Sequence, residues 1–241
     1  MMAIRVRRWV PTTLLIAAAF VWSVPGIARA EPKPSPTPVE WELKFTFQNP
    51  QRITVRLPGE SSAKTYWYML YRVVNDTGED RDFLPLVTRV AEIESELPAD
   101  QIDARPDEAP RLITTASLIG LAPTVYRAIQ KRHAKTHPFL VPPVESIGRI
   151  KQGADNAIDS VVIFDDIDPR VSSFTVYVGG LSGERKQVSN PAFNAAKAVD
   201  DKNPRFFVMQ KTLAIPYRVP GTERTRRTVE PGLGRIYWVM R

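Results

Sequence analysis

The ten residues TYWYMLYRVV, from Thr65 to Val74, carry large apolar or aromatic side chains at almost every position. Successive side chains of an extended chain point to opposite faces of a sheet, so this run has two apolar faces. One face carries Trp67, Met69, Tyr71 and Val73, and the other carries Tyr66, Tyr68 and Leu70. We therefore predict a central strand that is buried on both sides.

The preceding runs show the simple alternation of strands with one solvent face. Apolar and polar residues alternate over residues 41–47 and again over 52–57, with Asn49-Pro50 between them, which predicts a hairpin. Asn75 to Gly78 has turn chemistry, and a returning strand is expected at residues 83–90. Further strands are predicted at residues 146–151, 160–164, 173–178, 206–215, 217–219 and 235–240.

One helix interrupts this series of strands. Residues 97–111 contain three prolines and predict a long loop. Pro123 to Lys135 predicts a helix, because proline fits a first turn and Val125 and Ile129 lie at helical spacing. The whole pattern predicts a mainly β protein, an antiparallel β-sandwich over residues 40–241 with a Pro-rich insertion around 97–140 and one short helix. A division into two domains near residue 110 is the alternative.

Residues 1–30 have the three parts of a cleavable secretory signal. Basic residues come first, the apolar run Leu14 to Val24 follows, and small residues end the segment, so cleavage is expected after Ala30. A permanent membrane anchor is the alternative, but the run is shorter than the roughly 20 apolar residues that span a bilayer. Arg7-Arg8 partly resembles a twin-arginine signal, although the general secretory route is favoured. The sequence thus predicts an exported protein, periplasmic or extracellular, without a stable membrane span after cleavage.

Residues 31–39 begin with EPKPSPTP, in which every second residue is proline. Such a segment resists helix and sheet and favours an extended polyproline conformation. We interpret it as a Pro-rich linker that acts as a tether or frayed terminus.

Charge and composition exclude several functions. Four of the 33 basic residues lie in the first 30 positions, which leaves 29 basic against 26 acidic groups and removes most of the electrostatic argument for nucleic acid. The chain has no cysteine, so it has no disulfides, no thiol catalysis and no thiolate metal site. Two histidines offer little for zinc or copper binding, and we predict no cofactor.

Three segments carry a resemblance, namely YWYMLYRVVNDTGEDRDFLP, DSVVIFDDIDPRVSSFTVYVGGLSGE and the closing RIYWVMR. They are similar to the strand-turn-strand units of uncharacterised secreted bacterial proteins with an immunoglobulin-like domain. The resemblance implies an immunoglobulin-like β-sandwich. It brings no catalytic residue with it.

Two groups of residues suggest metal chemistry. Asp165, Asp166 and Asp168 could gather around calcium, and His133 and His137 lie four residues apart on the predicted helix. The aspartates lack the glycine and closing glutamate of a calcium loop, and the histidines lack a third ligand. A solvated loop and a solvated basic helix face are therefore favoured, and we assign no catalytic or metal residue.

Two further groups are candidate ligand contacts. Tyr66 and Tyr68 could belong to an aromatic platform for a sugar or peptide, although aromatic residues on strands are more often core. Arg224, Arg226 and Arg227 could bind an anionic polymer or surface, although basic runs are usually solvated.

The sequence therefore favours a non-enzymatic exported module that binds an envelope protein or glycan, or has a structural role. One alternative is a hydrolase or metal-dependent enzyme that uses an Asp/His cluster. The other is an anion- or glycan-binding surface protein.

Overall fold

A computed structural model describes residues 32–93, 111–118 and 123–241, and Pro32 to Arg241 form one compact unit. The predicted signal and much of the predicted insertion lie outside the described residues. The elements in chain order are β1 (Lys44–Phe47), β2 (Gln51–Val55), β3 (Lys64–Val74), β4 (Arg81–Phe83), β5 (Leu86–Ile93), β6 (Arg111–Ala116), α1 (Pro123–His133), β7 (Gly148–Ile150), β8 (Ile158–Asp165), β9 (Val171–Gly179), β10 (Arg185–Ser189), β11 (Phe206–Arg218), α2 (Glu223–Arg226), β12 (Gly232–Leu233) and β13 (Tyr237–Met240). The prediction of a mainly β, antiparallel protein is confirmed.

Strand β3 is the centre of a four-stranded antiparallel sheet. Strand β8 pairs with one edge of β3, and β1 and β2 pair with the other edge. The prediction of a central strand at residues 65–74 is thus confirmed.

The predicted hairpin between residues 41 and 57 is wrong. Strands β1 and β2 both run antiparallel to β3, with Phe47 opposite Tyr71 and Gln51 opposite Tyr68. They are two parts of one edge strand, interrupted where Pro50 lacks the N–H needed to continue the ladder. Asn49-Pro50 therefore makes an irregularity in a strand that keeps its direction.

A seven-stranded antiparallel sheet contains β5, β6 and β9 to β13. Strands β10 and β9 pair with successive parts of one edge of β11, and β5 and then β6 continue the sheet beyond β9. Strands β12 and β13 pair with the other edge of β11. The two strands predicted at residues 206–219 are one strand, which continues through Pro216. Because β6 follows residue 110 and pairs with β5 before it, both sides of the alternative domain boundary belong to the same sheet. The strand predicted at residues 83–90 is divided by Pro85 into β4, which pairs with β7, and β5.

Two hydrophobic cores lie on the two faces of the four-stranded sheet. Trp67, Met69, Tyr71 and Val73 belong to a core shared with β5, β9 and β11 of the larger sheet. Tyr66, Tyr68 and Leu70 pack with Val125 and Ile129 of α1. The two apolar faces of β3 are therefore explained by a sheet on one side and a helix on the other.

The predicted helix is confirmed at Pro123–His133. Val125 and Ile129 are fully buried, so the apolar positions at i and i+4 face the sheet as the spacing predicts. The short helix α2 was not predicted, because four residues cannot show an apolar periodicity. A capping box at Thr222 and Thr225 fixes its start.

The Pro-rich segment is not a free tether where it is described. Ser35 donates to Glu184 Oε1 through its backbone N–H at 3.0 Å and its hydroxyl at 2.9 Å. Lys186 donates to the carbonyl of Lys33, and Lys211 lies between Glu42 and Glu184 with only 2 % of its side chain exposed. Residues 33–35 are therefore docked on the larger sheet through buried charged groups.

The carboxyl group of Glu184 is held ionised in this contact. Burial alone would raise its pKa, but the hydrogen bonds from Ser35 and the charge of Lys211 outweigh burial and lower the pKa below its ordinary value. Its second oxygen, Oε2, accepts no hydrogen bond from the described residues and lies 3.4 Å from Lys211 Nζ. Glu184 is thus the acceptor on which the docked segment depends.

The packing of α1 predicts the effect of Ile129→Ala. Loss of this buried side chain leaves a cavity against the sheet and should lower the free energy of unfolding by about 2–5 kcal/mol. Urea denaturation monitored by circular dichroism measures it, with exposed Arg127→Ala as the control that should change stability by less than about 0.5 kcal/mol. Equal effects of the two substitutions would contradict the assigned packing.

The docked segment predicts slow hydrogen exchange at the amide of Ser35, which donates to a buried carboxylate. In Glu184→Ala this amide should exchange at the rate of an unfolded peptide, because its acceptor is gone. Exchange measured by NMR tests this, with exposed Glu40→Ala as the matched loss of an acid. Fast exchange of Ser35 in the unsubstituted protein would show that the segment is not docked.

Candidate functional site

Two adjoining pockets lie beside the loop after β8 and the segment after α2. The first has a volume of about 230 Å³ and the second about 440 Å³. Arg52 of β2 and Arg227 line both of them, and Trp67 of β3 lines the first. We call this site the Arg52–Arg227 groove.

A chain of contacts fixes the floor of the groove. Trp67 Nε1 donates to Asp166 Oδ1 at 2.9 Å, and the guanidinium of Arg52 lies 4.0 Å from the centroid of the Trp67 ring. Arg52 then donates to the carbonyls of Arg226 at 2.7 Å and Val229 at 2.8 Å. Arg52 therefore holds the backbone of residues 226–229 in place, as a guanidinium on an aromatic ring can.

Burial lowers the pKa of Arg52 and of a second arginine nearby, Arg89. Burial lowers the pKa of Arg52, and the charge of Asp166 opposes that effect. Arg89 is 4 % exposed, and burial lowers its pKa to about 10 against the opposing charges of Asp166 and Asp165. It donates to the carbonyl of Asp165 at 2.9 Å, but its Nε has no partner among the described residues.

The arginines predicted from the sequence have different roles in the groove. Arg226 donates to the carbonyl of Arg170 at 2.9 Å, while its buried Nε has no partner among the described residues. The side chain of Arg227 is exposed and makes no hydrogen bond or ion pair within the described chain, although its charge acts on Asp168. Arg224 is exposed in α2 and lines neither pocket. Of the three, Arg227 is therefore the one whose guanidinium is available to a ligand in the groove.

Positively and negatively charged side chains line the groove in equal number. Asp168 is bound by Arg170 at 2.6 Å, and this contact, with a smaller effect of Arg227, lowers the pKa of Asp168. The carboxylates at the groove are Asp166, Asp168 and Glu230. The guanidinium groups that line it are Arg52, Arg226 and Arg227. Two of the carboxylates already have partners, since Asp166 accepts from Trp67 and Asp168 pairs with Arg170.

The three aspartates considered for calcium point to different partners. Asp165 pairs with Lys64 at 2.7 Å, Asp166 accepts from Trp67, and Asp168 pairs with Arg170. Across the described ranges, no group of three or more acidic or histidine side chains is placed to hold a metal ion. The aspartates instead order the loop after β8.

The two histidines lie together at the end of α1, with ring centroids 5.8 Å apart. His133 Nε2 is 2.9 Å from the Tyr68 hydroxyl, and that hydroxyl donates its proton to Gln51 at 2.8 Å. His137 Nε2 is 3.2 Å from Gln48 Nε2. The histidines are therefore partly buried against the sheet, rather than on the solvated face expected with Arg127, Lys131, Arg132 and Lys135.

The aspartates and histidines do not share a site. Trp67 and Tyr68 are successive residues of β3 and point to opposite faces, and Asp166 contacts the first whereas His133 contacts the second. Asp165 lines a pocket with Thr124 near the start of α1, and His133 lies nine residues later, about 14 Å along the helix. A metal or acid–base centre built from both groups is therefore not formed.

Tyr66 and Tyr68 do not form an exposed aromatic platform, because they are 4 % and 1 % exposed beneath α1. The tyrosines that face solvent are Tyr177 and Tyr237, which lie on either side of Ala214 in the larger sheet. The sequence indicates that Tyr177 lies on the solvent face, because the polar residues of 173–178 occupy the odd positions. No sequence pattern identified Arg52 and Trp67 as residues of the site, because only the register of β2 and β3 places them opposite each other.

Comparisons with protein-family models, with curated proteins and with solved structures found no match to this chain. Among the described residues, no helix has the length and apolar character needed to span a membrane.

The position of His133 predicts a pH dependence of stability. Burial, and to a lesser degree the charges of His137 and Arg132, lower its pKa below the ordinary value. The unfolded chain therefore takes up a proton at a higher pH than the folded chain, so stability falls as the pH falls through about 6.5 toward the folded-state pKa.

We expect the melting temperature to fall more between about pH 7.5 and pH 5.5 in the unsubstituted protein than in His133→Gln. Lys135→Gln, an exposed change on the same part of the chain, should behave like the unsubstituted protein. Parallel pH profiles for the unsubstituted protein and His133→Gln would contradict the assignment.

Proposed function

We propose that this protein is an exported, non-enzymatic binding module of the cell envelope, and that it binds a carboxylate- or phosphate-bearing glycan in the Arg52–Arg227 groove. Export is supported by the signal-like pattern of residues 1–30. The fold supports a binding role, because a rigid β scaffold positions the groove at the ends of its strands and loops. We also propose an immunoglobulin-like arrangement of the two large sheets, supported by their shared antiparallel core.

The observation that carries the proposal is the free guanidinium of Arg227 at the junction of the two pockets. Arg52, stacked on Trp67, holds the backbone on either side of Arg227, so Arg227 is presented from an ordered segment. A guanidinium binds carboxylate and phosphate groups in a bidentate manner.

The alternative of an Asp/His enzyme receives no support from the geometry, since Asp166 and His133 contact opposite faces of β3. A peptide-binding platform at Tyr66 and Tyr68 is likewise unsupported, because both rings are buried. The anion-binding alternative from the sequence retains Arg227 as its central residue.

The proposal predicts that residues 31–241 bind immobilised heparin, used as an anionic glycan probe, and that neutral dextran is not bound. Arg227→Ala should weaken heparin binding roughly tenfold or more, because a hydrogen bond to a charged group contributes about 1.5–3 kcal/mol. Surface plasmon resonance across a range of salt concentrations measures the effect.

Arg185→Ala is the matched control, because the side chain of Arg185 is exposed in β10 and makes no hydrogen bond or ion pair within the described chain. It removes the same charge away from the groove and should weaken binding much less. Equal loss in both variants would show general electrostatic attraction and would refute the groove. Turnover of a glycan by the protein would refute the non-enzymatic role.

A further inference from the structure

The first half of β11 has one unpaired edge. Residues Phe206 to Gln210 pair with β10 on one side, with Phe207 opposite Val188 and Met209 opposite Lys186. On the other side, β13 reaches only to Lys211, and the next pair is Gln210 with Arg241. Among the described residues, nothing pairs with that edge from Phe206 to Met209.

The hydrogen-bond pattern identifies which groups the edge presents. Gln210 donates to the carbonyl of Arg241 at 2.8 Å and accepts from the N–H of Arg241 at 3.1 Å. The backbone groups of alternate residues in an antiparallel strand point to the same edge. The backbone groups of Val208 and Phe206 therefore point to the same side as those of Gln210, away from β10. No described residue bonds to them on that side.

The side chains of this segment are apolar and exposed. Phe206 is 41 % exposed, Phe207 47 % and Val208 67 %. No residue from Phe206 to Gln210 is charged or a proline, although exposed edges are commonly protected by lysine, proline or a bulge. The edge therefore has both the backbone groups and the apolar surface needed to pair with another strand.

We propose that two copies of this chain associate through this edge, in an antiparallel pair with Phe207 opposite Phe207 of the second copy. A two-fold axis perpendicular to the sheet relates antiparallel strands and keeps each side chain on its own face. In this register Phe206 of each copy lies opposite Val208 of the other, so the free backbone groups of both residues are satisfied by four hydrogen bonds.

The other symmetric register is less favourable. If Val208 faced Val208 of the second copy, Phe206 would face Gln210, whose backbone groups already bond to Arg241. Only the central pair of residues could then form hydrogen bonds.

The charges at the edge are compatible with a second copy as the partner. Arg205 lies opposite Met209 of the second copy, so no like charges face each other. The uncharged apolar residues of one edge pack against the same residues of the other. The contact covers few residues, so the dimer dissociates on dilution.

The absence of cysteine from the chain allows a direct test by disulfide formation. In the proposed register Phe207 and its symmetry mate form the non-hydrogen-bonded pair, in which the Cα atoms approach to about 4.5 Å. Full-length mature chain carrying Phe207→Cys should give a disulfide-linked dimer under mild oxidation.

Two controls give the experiment its specificity. Phe206→Cys faces Val208 of the second copy, and Val199→Cys introduces a cysteine at a more exposed position in a different segment, so both should cross-link far more slowly. Equal cross-linking of the three variants, or none with Phe207→Cys, would overturn the proposed pairing.

Sedimentation over a dilution series tests association without a new cysteine. Val208→Lys places a charge at the edge and should shift the protein to monomer, whereas Val199→Lys should not, with circular dichroism confirming that both are folded. A monomer at every concentration, or a dimer unaffected by Val208→Lys, would overturn the proposal.

Discussion

The burial of β3 on both faces is the constraint from which the layers of this protein follow. A strand with Trp67 and Tyr68 as neighbours exposes a large aromatic surface on each side, and burying an apolar side chain contributes about 1.5–3 kcal/mol. One side is covered by the seven-stranded sheet and the other by α1. The same alternation keeps Asp166 and His133 on opposite faces of the sheet, because Asp166 contacts Trp67 and His133 contacts Tyr68.

Arginine side chains stabilise the junctions between these layers. Arg89 extends from β5 to the carbonyl that ends β8, and Arg52 extends from β2 to the segment after α2. Both donate mainly to backbone carbonyls, while Phe164 and Trp67 lie against their guanidinium faces. Arginine suits this use because its planar, delocalised cation tolerates an aromatic surface better than an ammonium group does. Arginine residues therefore serve the architecture of the protein as well as its surface.

The sequence predicted the structure correctly where a local periodicity of apolar residues determines it. The central position of β3 and the face of α1 were predicted, because periods of 2.0 and 3.6 are visible in the residues themselves. The relation of β1 to β2 was not, because Asn49-Pro50 is compatible with either a turn or an interruption in one strand. At the groove, Arg227 was a candidate from its basic neighbours, whereas Arg52 and Trp67 depend on a strand register that no local pattern contains. Predicting Tyr66 and Tyr68 as ligand contacts failed because α1, distant in sequence, covers them.

The docking of Ser35 on Glu184 has a consequence for the order of folding. The two residues are separated by 149 positions, so the docked segment closes a loop that contains most of the chain. Contacts across such separations form late, because the entropy of closing the loop is lost before the contact is made. Residues 33–35 precede every described strand, yet their binding site is complete only when β10 and β11 are in place. The first part of the described chain to be synthesised is therefore among the last to reach its final position.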